Sequence, residues 1–99
     1  MEKYIKFIDA TTDFIIVSSK NFIGAEYLTT TTIALYFGQA PLSREIVLTH
    51  GMHQGPQVLQ NIAELFLNSP KKILQFDDIN NIFDCKLVTG ISINKIVAQ

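Results

Sequence analysis

The sequence has one cysteine, no tryptophan and few charged residues for its length of 99. A single cysteine, Cys85, excludes an internal disulfide and fits a reducing compartment. No apolar run approaches the roughly 18 residues of a membrane-spanning helix, and the N-terminal stretch MEKYIKFID lacks the order of a signal peptide. Eight basic and nine acidic residues leave a net charge of −1, without the basic surface that nucleic acid or an anionic membrane requires. We therefore expect a soluble protein with neither partner.

The sequence is instead rich in apolar residues, which make up 47% of the chain against 17% charged residues. This balance excludes intrinsic disorder, because enough apolar surface is present to form a core. The length gives room for one domain, which we place over residues 1–99.

Alternating or continuous apolar stretches predict seven strands. They lie at 3–9, 13–18, 21–28, 32–37 and 44–50, and then at 72–76 and 86–97. The stretch 13–18 (DFIIVS) is apolar without alternation, which is typical of a strand covered on both faces. Turn-forming residues at 11–13 and 38–41 separate strands, and Gly24 and Gly90 are candidate β-bulges.

Two segments are less regular. The β-branched run Thr29–Thr32 either extends a strand or lines a wide turn. The acidic segment 77–84 is rich in turn residues but carries three apolar side chains, so we expect it to pack down as an ordered loop. Those side chains are Ile79, Ile82 and Phe83.

One helix is predicted over residues 56–68, with Pro56 at the favourable first position and Pro70 beyond its end. Its apolar residues cover an arc of about 200°, nearly twice the usual stripe. One sheet face covers only part of such an arc, so a second copy of the chain is the expected partner for the rest. The alternative is that the chain's own sheet and the 79–84 segment wrap the helix. The candidate interface residues are Leu59, Ala63, Leu65 and Leu67.

The element order is therefore β-β-β-β-β-α-β-β. Runs of strands with short connections favour an α+β fold with a mostly antiparallel sheet, or a small curled barrel, and one helix.

His50 and His53 are weak candidates for metal ligands, because two histidines three residues apart can approach one ion. They fall at a strand end and in a loop, where spacing alone does not set the geometry. A third ligand would have to come from Cys85, Asp77, Asp78 or Asp84. We therefore expect no metal and no cofactor.

No nucleophile, base and acid are assembled in the pattern of an enzyme, so we expect no catalytic activity. Cys85 stands at the start of an apolar strand, where cysteine usually acts as a small buried hydrophobe. The aromatics Tyr27, Tyr36 and Phe37 could form a stacking platform, but the basic groove that accompanies one is missing.

The stretches NFIGAEYLTTTTIALYFG, IVLTHG, VLQNIAELF and CKLVTGISI together resemble small proteins encoded by marine bacteriophages. The resemblance spans about residues 22–93 and concerns the layout of strands and helix. It implies a phage origin and a part in the virion or its assembly, in the host cytoplasm or the particle. That group has no established activity, so no residue role follows from it.

These observations give three hypotheses. The first is a non-enzymatic phage structural or assembly protein that forms a homo-oligomer through the helix flank and strand edges, with other phage proteins as further partners. The second is a monomeric binding module that holds a host protein or ligand by a concave sheet or the His50–Gln54 loop. The third is a metal-dependent or thiol enzyme built on His50, His53 and Cys85.

Overall fold

A computed structural model of the chain describes residues 3–10, 13–39 and 42–97. Its elements are β1 (Tyr4–Ala10), β2 (Asp13–Ser18), β3 (Phe22–Thr29), β4 (Thr32–Gln39), β5 (Leu42–His50), α1 (Gly55–Asn68), β6 (Ile73–Asp77), β7 (Ile82–Phe83) and β8 (Val88–Val97). The α+β class is confirmed, with one strand more than the predicted order because the short β7 forms inside the acidic segment. The turns predicted at 11–13 and 38–41 include residues 11–12 and 40–41, which lie outside the described residues.

The strands form two sheets and not a closed barrel. The first sheet has the order β2-β1-β6-β7, and the second sheet has the order β3-β4-β5-β8. Neighbouring strands are antiparallel except β1 and β6, which are parallel. A parallel pair needs a connection that returns the chain to the same end of the sheet, and the long segment between β1 and β6, which includes α1, provides it.

The core lies between the inner faces of the two sheets and one side of α1. Phe7 on β1 packs against Phe76 on β6 and against Phe37 on β4, with ring centroids 5.3 and 5.7 Å apart. Along a regular strand, side chains that face the core alternate with side chains on the outer face of the sheet. The other fully buried large side chains are Ile5, Ile33, Leu35, Ile46, Leu48, Leu74, Val58 and Cys85.

Both glycines predicted as bulges mark irregularities in the second sheet. The pairing of β3 with β4 shifts between Phe22 and Gly24, and the pairing of β5 with β8 shifts between Gly90 and Val88. The second shift changes which residues face inward, because a bulge adds one residue to one strand. Val88 and Ile91 are consequently both buried, although strict alternation would place them on opposite faces.

The prediction that β2 is covered on both faces is wrong. Ile15 and Val17 pack against the core, whereas Phe14 and Ile16 are 63% and 59% exposed. β2 is the outermost strand of the first sheet, and no described element covers its outer face. Its apolar outer side chains therefore contact solvent in the single chain.

The helix turns most of its broad apolar arc toward its own core. Val58 and Ile62 are buried, and Leu59, Leu65 and Phe66 pack against the core. Phe66 makes an edge-on contact with the ring of Phe22 at the start of β3, which extends the covered arc across the second sheet.

The end of α1 is held by a buried lysine from the start of the chain. The Lys3 Nζ donates hydrogen bonds to the carbonyl oxygens of Ser69 and Lys71, at 2.5 and 3.2 Å. A cation at this position also opposes the partial negative charge at the C-terminus of the helix. Lys3 thereby joins the first strand to the helix end.

The acidic segment is ordered, but it packs down less than predicted. Phe83 is buried, while Ile79 and Ile82 are exposed. The Asp77 carboxylate accepts hydrogen bonds from the backbone N–H groups of Ile79 and Asn80 and from the Asn80 side chain. The turn after β6 is thus stabilised by hydrogen bonds rather than by its isoleucines. No helix in the described part of the chain is long and apolar enough to cross a membrane.

Candidate functional site

A cavity of about 310 Å³ opens at the start of α1, between the helix and the β3–β4 hairpin. It is lined by Tyr27, Thr29, Thr30, His50, His53, Gly55 and Pro56. Tyr27 pairs with Ile33 and shares the inner face of the second sheet. A Cβ atom added at Gly55 would lie 2.7 Å from the Tyr27 ring, so glycine allows this ring to approach the helix closely.

The threonine run forms a tight turn that is tied to the histidine loop. β3 ends at Thr29 and β4 begins at Thr32, so the wide turn considered from the sequence does not form. The Thr29 hydroxyl accepts a hydrogen bond from the Thr31 N–H within the turn. The carbonyl oxygens of Thr31 and Thr30 accept hydrogen bonds from the N–H groups of His50 and His53, at 2.8 and 2.9 Å. These bonds bring residues distant in sequence to one cavity.

His50 is 3% exposed and lies at the end of β5. Its Nδ1 is 2.7 Å from the Gly51 carbonyl oxygen, and because a carbonyl only accepts, Nδ1 carries the hydrogen. In the neutral ring Nε2 is then a hydrogen-bond acceptor. This Nε2 is buried and has no hydrogen-bond partner among the described residues, which is unusual for a buried polar atom.

His53 lines the same cavity from the exposed side of the loop. Its φ of 62° is in the left-handed region, which costs a non-glycine residue free energy. The loop is held nearby by the Gln54 N–H, which donates to the Gly51 carbonyl oxygen at 3.1 Å. The structure thus brings His50 and His53, the two histidines singled out from the sequence, to one cavity.

The residues considered as a third metal ligand lie in other surroundings. Cys85 is buried in the core, and burial raises the pKa of its thiol. Asp77 stabilises its own turn, and Asp84 accepts hydrogen bonds from Lys71 Nζ and the Gln75 N–H. Within residues 3–10, 13–39 and 42–97, no group of three or more His, Cys, Asp or Glu side chains could hold a metal ion.

The three aromatics considered as a stacking platform do not share a surface. Tyr27 lines the cavity at the edge of the second sheet, and Phe37 is buried in the core. Tyr36 lies on the opposite, outer face, since it alternates with Phe37 along β4.

The helix residues predicted as an oligomer interface divide into two pairs. Leu59 and Leu65 pack against the chain's own core. Ala63 and Leu67 are exposed, Leu67 by 79% of its surface. The helix flank therefore presents a narrower apolar surface than the sequence pattern indicates.

The larger exposed apolar surface is the outer face of the first sheet, which the sequence analysis missed. The register aligns Ile16 with Lys6 and Gln75 across three strands. It also aligns Phe14 with Ile8, Asp77 and Ile82 across all four. The signal in the sequence is the unbroken apolar run in β2, which also fits a strand that is buried on both faces. The exposed large apolar residues of this face are Tyr4, Phe14, Ile16, Ile73 and Ile82.

A cluster of polar side chains lies on the outer face of the second sheet. The Tyr36 hydroxyl lies 2.6 Å from the Glu26 carboxylate and 3.2 Å from the Glu45 carboxylate, and the hydrogen bond to Glu26 raises the pKa of Tyr36. Asn94 donates to the other Glu45 oxygen at 3.0 Å. The side chains of this cluster are hydrogen-bonded to one another, whereas Phe14 and Ile16 on the outer face of the first sheet expose apolar surface.

No protein family, curated protein or solved structure matches the chain. Two features of the structure bear on function, the cavity at the start of α1 and the apolar outer face of the first sheet.

Proposed function

We propose that the chain is a non-enzymatic structural or assembly-related protein that associates with copies of itself. The observation that carries this proposal is the apolar outer face of the first sheet. Contiguous exposed apolar patches on small proteins mark contact sites, because leaving them in water is unfavourable. The likeness to small phage proteins suggests a virion or its assembly as the setting.

The exposed apolar area of this face is more than half of the area that one partner contributes to a standard interface. With roughly 150–250 Å² for each large side chain, the exposed fractions of its five large apolar residues amount to about 500 Å². A standard interface buries about 800 Å² per partner. Ile8, Lys6 and Gln75 lie between these residues and add to the area, and the stem of a lysine can cover apolar surface while its charge stays in water.

The charge distribution favours a second copy as the occupant. The net charge of −1 produces little repulsion between two copies of the chain. Lys6 is the one cation among the described residues of this face, which is too little for an anionic membrane or nucleic acid. β2 and β3 are also outermost strands of their sheets, and unpaired strand edges favour pairing with another chain.

The test is the solution mass, measured by size-exclusion chromatography with light scattering over about a tenfold concentration range. We expect an integer multiple of 11.1 kDa. Ile16→Glu should reduce it toward the single-chain mass, since burying a carboxylate in an interface costs free energy even beside Lys6, its neighbour across β1 and β2. Leu67→Glu is the matched control, a similar change at an exposed helix position, and should leave the mass unchanged.

The remaining outcomes contradict parts of the proposal. A single-chain mass for the unmodified protein at every concentration would overturn self-association. Splitting by Leu67→Glu and not by Ile16→Glu would overturn the role of the first sheet and place the contact on the helix flank. Circular dichroism of both variants establishes that each is folded.

The second candidate is a monomeric binding module, which the cavity at the start of α1 favours. A single-chain mass together with ligand binding at this cavity would support it over the first proposal.

A further inference from the structure

His50, whose Nε2 is buried and has no hydrogen-bond partner among the described residues, is one of the residues that line the cavity at the start of α1. We propose that this cavity binds a phenolic ring, whose hydroxyl donates a hydrogen bond to Nε2 of His50. This site is separate from the outer face of the first sheet, and the inference does not depend on self-association.

The acceptor role follows from the partner of the other ring nitrogen. Nδ1 donates to the Gly51 carbonyl oxygen at 2.7 Å, so Nε2 of the neutral ring has a free lone pair. It is the one buried side-chain nitrogen or oxygen without a hydrogen-bond partner among the described residues. A buried acceptor without a donor costs free energy, and a ligand hydroxyl removes that cost.

The wall of the cavity fits a single ring. Apolar ligands as small as benzene occupy cavities of about 150 Å³, and this cavity, at about 310 Å³, leaves room for a substituted ring. Tyr27 supplies an aromatic partner, and aromatic rings attract each other in edge-on or offset arrangements. Pro56 and the threonine methyl groups provide the remaining apolar contacts.

The number and type of polar groups distinguish a phenol from other small ligands. A sugar would place several hydroxyls against this wall, where most would lose water without gaining a partner. A carboxylate would carry its charge against a mostly apolar wall whose lining, among the described residues, includes no lysine or arginine. One hydroxyl on an otherwise apolar ring matches the one buried acceptor that lacks a partner among the described residues.

Ligand entry requires a small side-chain movement, because Nε2 itself is shielded from solvent. Tyr27 is 57% exposed and lies on β3, an outermost strand of its sheet. Rotation of this exposed ring therefore disturbs the core little.

The experiment uses p-cresol as the probe and 4-methylanisole as its matched control, because the methyl ether keeps the ring but cannot donate. Titration followed by amide NMR should shift resonances of Tyr27, Thr30, His50 and Gly55 with p-cresol. We expect 4-methylanisole to bind about tenfold more weakly than p-cresol. This factor corresponds to the upper end of the net free energy that one hydrogen bond contributes. Equal binding of the two compounds, or no shifts at these residues, would overturn the proposal.

His50→Phe keeps a ring and removes the acceptor, so it should abolish the preference for p-cresol; an unchanged preference contradicts the role of Nε2.

Gly55→Ala is a second variant, for the case in which His50→Phe does not fold. Its added Cβ would lie 2.7 Å from the Tyr27 ring and would hold that ring away from its position beside the ligand. We therefore expect weaker p-cresol binding, and wild-type affinity would contradict the cavity as the site. N-acetyltyrosinamide then distinguishes the two possible sources of the phenolic ring. Its binding indicates the tyrosine side chain of a partner, whereas its failure to bind, when p-cresol does bind, indicates a free phenol.

Discussion

Asp77 shows how much of the local structure depends on single side chains. Its carboxylate accepts three hydrogen bonds from Ile79 and Asn80. The side-chain hydrogen bond from Asn80 is the largest cause that lowers the pKa of Asp77, and the backbone bonds and Lys6 act in the same direction against the effect of burial. The turn and the ionised state of this carboxyl therefore stabilise each other.

This linkage predicts a specific response to acid. A carboxyl with a lowered folded-state pKa adds stability that is fully present above its unfolded pKa of about 3.9. That stability is lost as pH falls through the lower folded value. We expect NMR titration to place the Asp77 midpoint below its ordinary value, and Asn80→Ala to move it upward. A midpoint that is the same in both proteins would contradict the hydrogen bond from Asn80 as the main cause.

Single residues also mark the limit of what the sequence indicates about the site. The spacing of His50 and His53 drew attention to them, and both line the cavity. Tyr27 and Thr30 could not be added, because they reach the cavity through the β3–β4 turn, about twenty positions earlier in the chain. Local patterns indicate which strand a residue belongs to, but not which loop it meets.

At the scale of elements, the attachment of α1 to the first strand depends on Lys3. Its ammonium group is buried and donates to two carbonyl oxygens beyond the last turn of the helix. We expect Lys3→Met to lower the free energy of unfolding by about 1.5–3 kcal/mol, the range for hydrogen bonds to charged groups. Urea denaturation measures the change.

Lys72→Met provides the control for this prediction, because Lys72 is exposed and close to the same helix end. A surface substitution of this kind should stay within about 0.5 kcal/mol of the wild type. Equal losses in the two variants would indicate that charge alone, and not the hydrogen bonds of Lys3, stabilises the helix end.

Most elements could be predicted because their signals are local. The apolar stretch at 13–18 becomes β2 with the same bounds, and the helix begins one residue before the predicted Pro56. Gly24 and Gly90 both mark shifts of register. The parallel pairing of β1 with β6 and the division into two sheets could not be predicted, since they depend on contacts between distant segments that no local periodicity records.

At the scale of the whole molecule, self-association should be visible in thermal stability. A partner that binds only the folded chain stabilises it by mass action, so the melting temperature of an oligomer rises with protein concentration. We expect a rise of a few degrees for about a tenfold increase in concentration. Calorimetry at two concentrations measures it, and Ile16→Glu should remove the dependence. A melting temperature that is independent of concentration in the unmodified protein would contradict a folding-linked oligomer.

The parallel contact between β1 and β6 also has a consequence for how the chain is made. During synthesis β1 and β2 leave the ribosome early, but β6, the other neighbour of β1, begins more than fifty residues after β2 ends. Until then one side of β1 has no neighbour, and both faces of the hairpin expose apolar residues to water. Contacts between such distant segments slow folding, and unpaired apolar strands favour aggregation in the meantime. The rate of translation and the presence of chaperones should therefore determine the yield of this protein more than its final stability does.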